Sequence, residues 1–349
     1  MNILVTGGAG FIGSHFIIYM LNKHKNIHIL NLDKLTYAGN LENVEEVMNH
    51  PRHTFVQGDI CNRELVESLL RKYHIEGIVH FAAESHVDYS ISNPRCFVET
   101  NVLGTFTLLE AARRFWLDGN NSKKKNNQYP RFHHISTDEV YGSLGPVGYF
   151  TEQSPYAPNS PYSASKASSD MLVRSYFQTY GMNVVTTNCS NNYGPKQHDE
   201  KLIPTIIRNA LNFRKIPIYG DGKNVRDWLF VIDHCMAIEK VFFEGQCGDT
   251  YLIGGNNEIS NIEIAELICD TLDSHQPILN SKCGIIQYRQ LIEFVQDRSG
   301  HDFRYGIDDT KIRQNLGVKM KYAFDQGIKE TITYYVEKYK KNNLSLKGV

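Results

Sequence analysis

Asn2-Ile3-Leu4-Val5-Thr6-Gly7-Gly8-Ala9-Gly10-Phe11-Ile12-Gly13 joins an apolar run to a glycine-rich turn, and the helical pattern Phe16, Ile17, Met20, Leu21 follows. Such a run reads as a parallel strand buried on both faces. Gly7, Gly10 and Gly13 let the backbone turn tightly and approach a pyrophosphate, while the helix start offers free N–H groups and positive potential. The spacing is G-x-x-G-x-x-G rather than G-x-G-x-x-G, so the strand–turn–helix context carries the phosphate-binding reading. A second strand over 27–32 ends at Asp33. An acidic residue there binds both ribose hydroxyls of NAD and repels the 2′-phosphate of NADP.

The alternation continues outward. Strands are expected at 53–57, 77–81 and 131–135, and helices at 63–72 and, as one long element, 93–117. These make five strands with intervening helices, the pattern of a Rossmann-type doubly wound parallel sheet in the α/β class. Ala82 and Ala83 are small enough for a cofactor to lie flat across the strand ends, with Asp59 and Ile60 beside its adenine. The Asn/Lys/Ser-rich stretch 118–128 reads as a mobile loop. From about residue 191 the rhythm is irregular: a turn at 191–195, a helix over 201–212, a short strand and tight turn over 217–222, a helix capped by Asn261, and a last helix over 325–340. The expected division is therefore a NAD-binding domain over 1–190, with returning segments near 225–255, and a smaller, mainly substrate-binding α/β domain over 191–349.

Ser136-Thr137-Asp138-Glu139-Val140-Tyr141-Gly142 follows the strand at 131–135. Strand carboxyl ends are where open α/β sheets place their ligands. An isolated Asp-Glu pair is most simply a solvated loop. If both carboxylates reach one site, however, repulsion parts their proton affinities and leaves an acid beside a base. Downstream, Ser160 and Pro161 are suited to the N-cap and first position of a helix, which puts Tyr162 and Lys166 on one face at i and i+4. A lysine beside a tyrosine favours the phenolate, and such a tyrosine can take an alcohol proton as hydride leaves carbon.

Composition narrows the function classes. Charged residues make up 21% of 349, with a formal net charge of −1, so no overall field attracts nucleic acid or an anionic membrane. Seven scattered cysteines without a C-x-x-C argue against a disulfide framework or zinc site and for a reducing compartment. No apolar run is long enough to span a bilayer, and a cytoplasmic protein is expected. His133 and His134 show no ligand spacing, and no metal is expected.

Gly7/Gly10/Gly13, Asp33 and Tyr162-x-x-x-Lys166 together resemble the extended short-chain dehydrogenase/reductase family over almost the whole chain. Within it, 136–142, 82–88, 191–195, 220–228 and 300–302 are similar to the nucleoside diphosphate-glucose 4,6-dehydratase group. The resemblance implies NAD-dependent dehydration of a thymidine or uridine diphosphate-glucose, as in rhamnose and other deoxysugar biosynthesis. It implies sugar oxidation by Thr137 and Tyr162 with Lys166, Asp138 as proton donor and Glu139 as base. It adds Phe11, Ile12, Lys34, Thr36, Ser85 and Thr100 to the cofactor contacts. For the substrate it implies Ser85, Thr137, Asn191, Lys201, Leu202, Pro217, Tyr219, Arg226, Asn261, Arg298 and His301. A homodimer is also implied, with the two long helices over 93–117 and 161–180 as candidates to pair across a two-fold. Ser299 departs from the group's usual proline, and the 118–128 stretch is expanded. A nucleotide-hexose 4-epimerase would share the cofactor site and Tyr162 but has no use for the acidic pair. A catalytically silent NAD-binding regulator has no reason to keep Thr137, Asp138, Glu139, Tyr162 and Lys166 together.

Overall fold

The computed structural model of the chain describes residues 1–118, 130–278 and 284–345; the 118–128 stretch, Asp118 apart, lies outside them. The first half runs β1 (Asn2–Thr6), α1 (Phe11–Lys23), β2 (His28–Asp33), β3 (His53–Gln57), α2 (Arg63–Lys72), β4 (Gly77–His80), α3 (Val87–Ser92), α4 (Pro94–Phe97), α5 (Thr105–Arg113), β5 (Arg131–Thr137) and α6 (Pro161–Tyr180). The second runs β6 (Val184–Cys189), β7 (Asn191–Tyr193), α7 (Leu202–Leu211), β8 (Ile216–Tyr219), β9 (Val225–Phe230), α8 (Val231–Glu244), β10 (Thr250–Ile253), β11 (Glu258–Ser260), α9 (Asn261–His275), β12 (Ile292–Val295), α10 (Thr310–Leu316) and α11 (Phe324–Ser345).

Seven strands form one wholly parallel sheet in the order β10-β6-β5-β4-β1-β2-β3. Leu4 and Ile3 of β1 are fully buried, packing toward opposite layers around Leu108 and Phe132 on one side and Phe16 and Val79 on the other. Strand order reverses between β1 and β4, and ligands of open α/β sheets bind in the crevice beyond the strand ends at such a reversal. A three-stranded sheet (β11-β9-β7), a two-stranded sheet (β12-β8) and helices α7, α9 and α11 enclose a further core around Ile206, Ile268 and Tyr335.

Some expectations are corrected. Residues 191–193 form a strand paired with β9 rather than a turn, because extended pairing there gives the backbone partners. Ser260, not Asn261, caps α9; its hydroxyl accepts from the Glu263 N–H while the Glu263 carboxylate accepts from Ser260 N–H at 2.9 Å. The long helix is interrupted by π-helical stretches at Val98–Gly104 and Arg114–Asp118. Inserted helical residues of this kind recur at functional sites. Here the first stretch carries buried Asn101, whose amide bonds the Glu84 carbonyl at 3.0 Å and Ser165 at 2.8 Å. Sequence reading did not single out β6, whose residues are all buried; without an exposed face it has no alternation to detect.

Helix α6 begins as the sequence indicates. Ser160 and Ser163 form a capping box with Pro161 in the first turn, and Gly181 ends the helix in the left-handed region at φ 65°. A Cβ at Gly181 would meet no atom within 4 Å. Gly181→Ala is therefore expected to cost only the left-handed backbone penalty, about 1–2 kcal/mol, measured as a lower midpoint in chemical unfolding, with the site at the other end of α6 undisturbed.

Candidate active site

At the strand reversal the glycine turn is filled by backbone. A Cβ on Gly7, at φ 71°, would lie 2.6 Å from Ala82 N, and one on Gly13 would lie 2.3 Å from the Gly7 carbonyl. No side chain caps α1 at Gly10, so its first N–H groups remain for an anion. At the end of β2, buried Asp33 accepts from Ala9 N–H at 2.9 Å and Leu35 N–H at 2.8 Å. Burial raises its pKa and these two N–H groups oppose the rise. Lys34 pairs with Asp59 at 2.7 Å. Glycine cradle, uncapped helix and acidic residue fit a dinucleotide.

One cleft brings the expected residues together. Its walls contain Gly7, Gly10, Phe11, Ile12, Gly13, Asp33, Lys34, Thr36, Asp59, Ile60, Ala82, Ala83, Ser85 and Thr100, together with Thr137, Asp138, Glu139, Tyr162, Lys166, Asn191 and Lys201. The parallel register places Thr137 beside Cys189 at the end of β5, and the chain then turns into a 3-10 segment, Asp138–Tyr141. Asp138 is 1% exposed and its Oδ2 has no hydrogen-bond partner. Burial, then Glu139 and Asp227, hold its carboxyl well above the usual range. Glu139 is half-buried; burial raises it too, but Arg298, Arg226 and Lys201 oppose the rise. The two environments therefore differ: Asp138 is pushed further toward its neutral form, while three cations favour the ionised form of Glu139.

Tyr162 is buried and shares the cleft wall with Thr137. The lowered phenol expected from the i, i+4 spacing is not found in the chain alone: burial, then Glu139, push Tyr162 well up. Lys166 lies deeper and donates to the Ile135 carbonyl at 2.8 Å. Burial draws its ammonium down to about 8. Desolvation outweighs the proximity on which the expectation rested.

Of the expected substrate residues, Leu202, Pro217, Tyr219, Arg226, Asn261, Arg298 and His301 lie outside the walls of this cleft. Several form a neighbouring cluster. Arg226, 5% exposed, donates to the carbonyls of Val225 at 2.8 Å and Asp302 at 2.9 Å and stacks over Tyr305 at 4.3 Å. Arg298 approaches Asp88 at 3.5 Å, Tyr219 donates to Asp88 at 3.1 Å, and His301 lies 2.6 Å from Asp297 and edge-on to Tyr219. Lys201 joins the two regions by donating to the Ser85 carbonyl at 2.9 Å. Leu202 opens α7, Pro217 lies in β8 and Asn261 opens α9. Sequence reading missed Glu84, Cys189, His198 and Glu200 in the cleft wall. Glu84 stood inside the 82–88 motif, whereas His198 and Glu200 had no spacing to mark them.

With this geometry in place, comparison with known proteins is direct. A family model described as GDP-mannose 4,6 dehydratase matches residues 4–331. The dTDP-glucose 4,6-dehydratase of Neisseria meningitidis is 50% identical over 336 residues, covering 96% of this chain and 93% of the relative. Among solved structures, the dTDP-glucose 4,6-dehydratase of Bacillus anthracis in complex with NAD is 46% identical with a TM-score of 0.83. That of Streptomyces venezuelae, also with NAD bound, is 44% identical with a TM-score of 0.86, and each comparison covers 97% of both chains. On identity of this extent, and with a seven-stranded Rossmann-type sheet, the chain belongs to the dTDP-glucose 4,6-dehydratase family.

Proposed function

We propose that the chain is a hydro-lyase that uses NAD to convert dTDP-glucose to the 4-keto-6-deoxy sugar nucleotide. The observation that carries this reading is the divided state of Asp138 and Glu139 beside the dinucleotide cleft. Residues 1–190 hold the cofactor, and 191–349 mainly hold the nucleotide-sugar through Arg226, Asn261, Arg298, His301 and their neighbours. NAD bound in the cleft supplies reversible hydride acceptance.

With the positive charge of the bound cofactor added to that of Lys166 to favour its phenolate, Tyr162, beside Thr137, takes the proton from sugar O4 as C4 becomes a carbonyl. That carbonyl acidifies the adjacent C5–H bond, which a plain alcohol could not do. Glu139, kept ionisable by three cations, removes the C5 proton. Asp138, held neutral, protonates the C6 hydroxyl, which departs as water. Reduction at C6 and reprotonation at C5 complete the product. A 4-epimerase has no use for a buried neutral carboxyl beside a base. Incubation with dTDP-glucose, alongside UDP-glucose, tests the reading by the appearance of a 4-keto product absorbing in alkali.

A homodimer is part of the proposal. Val98, Leu103 and Phe106 on the long helical segment and Met171 and Tyr180 on α6 are large apolar residues exposed by 43–56%, and α5 packs against α6. Exposed apolar surface of this kind marks association sites. A cytoplasmic setting belongs to the same reading, on the six free cysteines of the described residues. No helix among the described residues is long and apolar enough to cross a membrane.

Asp138→Asn and Glu139→Gln are each expected to slow dehydration by about 10²- to 10⁴-fold while C4 oxidation survives, followed by nicotinamide absorbance in single turnover; intact dehydration in both variants overturns the assignment. The pH profile of kcat should fall toward acid as Glu139 gains its proton, above the usual glutamate value, and toward alkali near 8 as Lys166 loses its own. Leu103→Asp with Phe106→Asp should yield a monomer by analytical ultracentrifugation.

A further inference from the structure

Beneath the Tyr162–Lys166 pair lies a carboxylate that the mechanism above does not use. Asp170 is one helical turn beyond Lys166 on α6 and 4% exposed. Its Oδ2 accepts from the Tyr156 hydroxyl at 2.9 Å and the Asn188 amide at 3.0 Å. The same Asn188 amide donates to the Thr137 carbonyl at 3.0 Å. His134 Nε2 stands 3.1 Å from Oδ1. Asp170 thus meets side chains from β5, β6 and the loop before α6. An acid buried to this degree is rare unless paired.

Resting on the function proposed above, we infer that Asp170 is a positioning residue for the oxidation step. It is the buried counter-charge of Lys166, and through Asn188 it ties α6 to the strand end bearing Thr137, Asp138 and Glu139. The electrostatics agree. Burial alone would raise the Asp170 carboxyl, but His134 and Lys166 bring it below its ordinary value. Burial lowers Lys166, and Asp170 is the carboxylate that opposes that fall. Burial likewise draws His134 down to about 4, so it faces Asp170 as a neutral ring at neutral pH. Tyr141 and Tyr156, the phenols facing Asp170 from the other side, are both pushed up by burial and stay neutral. Lys166 is therefore the one cation of this set near neutrality, and Asp170 the group that keeps it charged.

The test is the pH profile of kcat with NAD-loaded full-length enzyme and dTDP-glucose. Asp170→Asn keeps the side chain's shape and removes its charge, so the alkaline limb should move down by about one pH unit, a tenfold loss of kcat on that limb, with KM unchanged. Tyr156→Phe removes a donor and leaves the carboxylate charge less quenched, so its limb should move up. Asp170→Glu should recover part of the Asn variant's loss. A limb that stays in place in both Asp170→Asn and Tyr156→Phe, or a loss in Asp170→Asn that is equal at every pH, overturns the inference. Should Asp170→Asn not fold, Tyr156→Phe decides alone, since only a charge acting through Lys166 moves its limb upward. Wild-type enzyme that makes no 4-keto product refutes the functional reading itself; wild-type turnover with unmoved limbs refutes only the role of Asp170.

Discussion

Two carboxyl groups adjacent in the chain line one cleft, and the proposed chemistry depends on keeping their charges unequal. Asp138 lies in the interior with Oδ2 unbonded, and burial pushes its carboxyl well above the usual range. Glu139, one residue on, turns toward Arg226, Arg298 and Lys201. Desolvation sets the first and nearby cations moderate the second, the difference on which the proposed donor and acceptor roles rest.

The architecture explains how such a pocket is held. A parallel sheet buried on both faces delivers β5 to the cleft with its side chains fixed by packing, and the 3-10 turn after Thr137 directs Asp138 inward. The glycine turn after β1 brings the backbone to Ala82 at the neighbouring strand end, so cofactor cradle and acid–base pair share one wall. Helix α6 adds Tyr162 and Lys166, and its register is set by the Ser160 capping box. Arg226 and Arg298 come from the second half of the chain, whose small sheets and helices pack around a separate core. The site is therefore assembled from the strand ends of the main sheet on one side and charged groups of β9 and nearby loops on the other.

Much of this was legible in order along the chain. Gly7, Gly10 and Gly13 before a helix, Asp33 after a strand, and Ser160-Pro161 before Tyr162 are local signals, because turn geometry, strand ends and helix caps depend on a few neighbouring residues. The residues expected to hold the cofactor and the five expected to carry the chemistry accordingly meet in one cleft. The second half was harder to read. A three-residue strand such as β7 exists only through its pairing with β9, and β6 offers no alternation because both faces are buried. The π-helical stretch at 98–104 leaves no mark in the apolar pattern.

By itself, then, the sequence determined the doubly wound architecture and the glycine cradle, which follow from short-range backbone preferences and hydrophobic periodicity, while the acidic pair was marked by its place after a strand and by the family resemblance. Only the tertiary structure decided the protonation states. Burial raises Tyr162 where proximity to Lys166 suggested the opposite, and cations distant in sequence moderate Glu139 while burial pushes Asp138 well up. The physical reason is that solvation and Coulomb energy depend on distances in space, and the residues that set them for Asp138 and Glu139 arrive from β9 and the loops around Lys201 and Arg298.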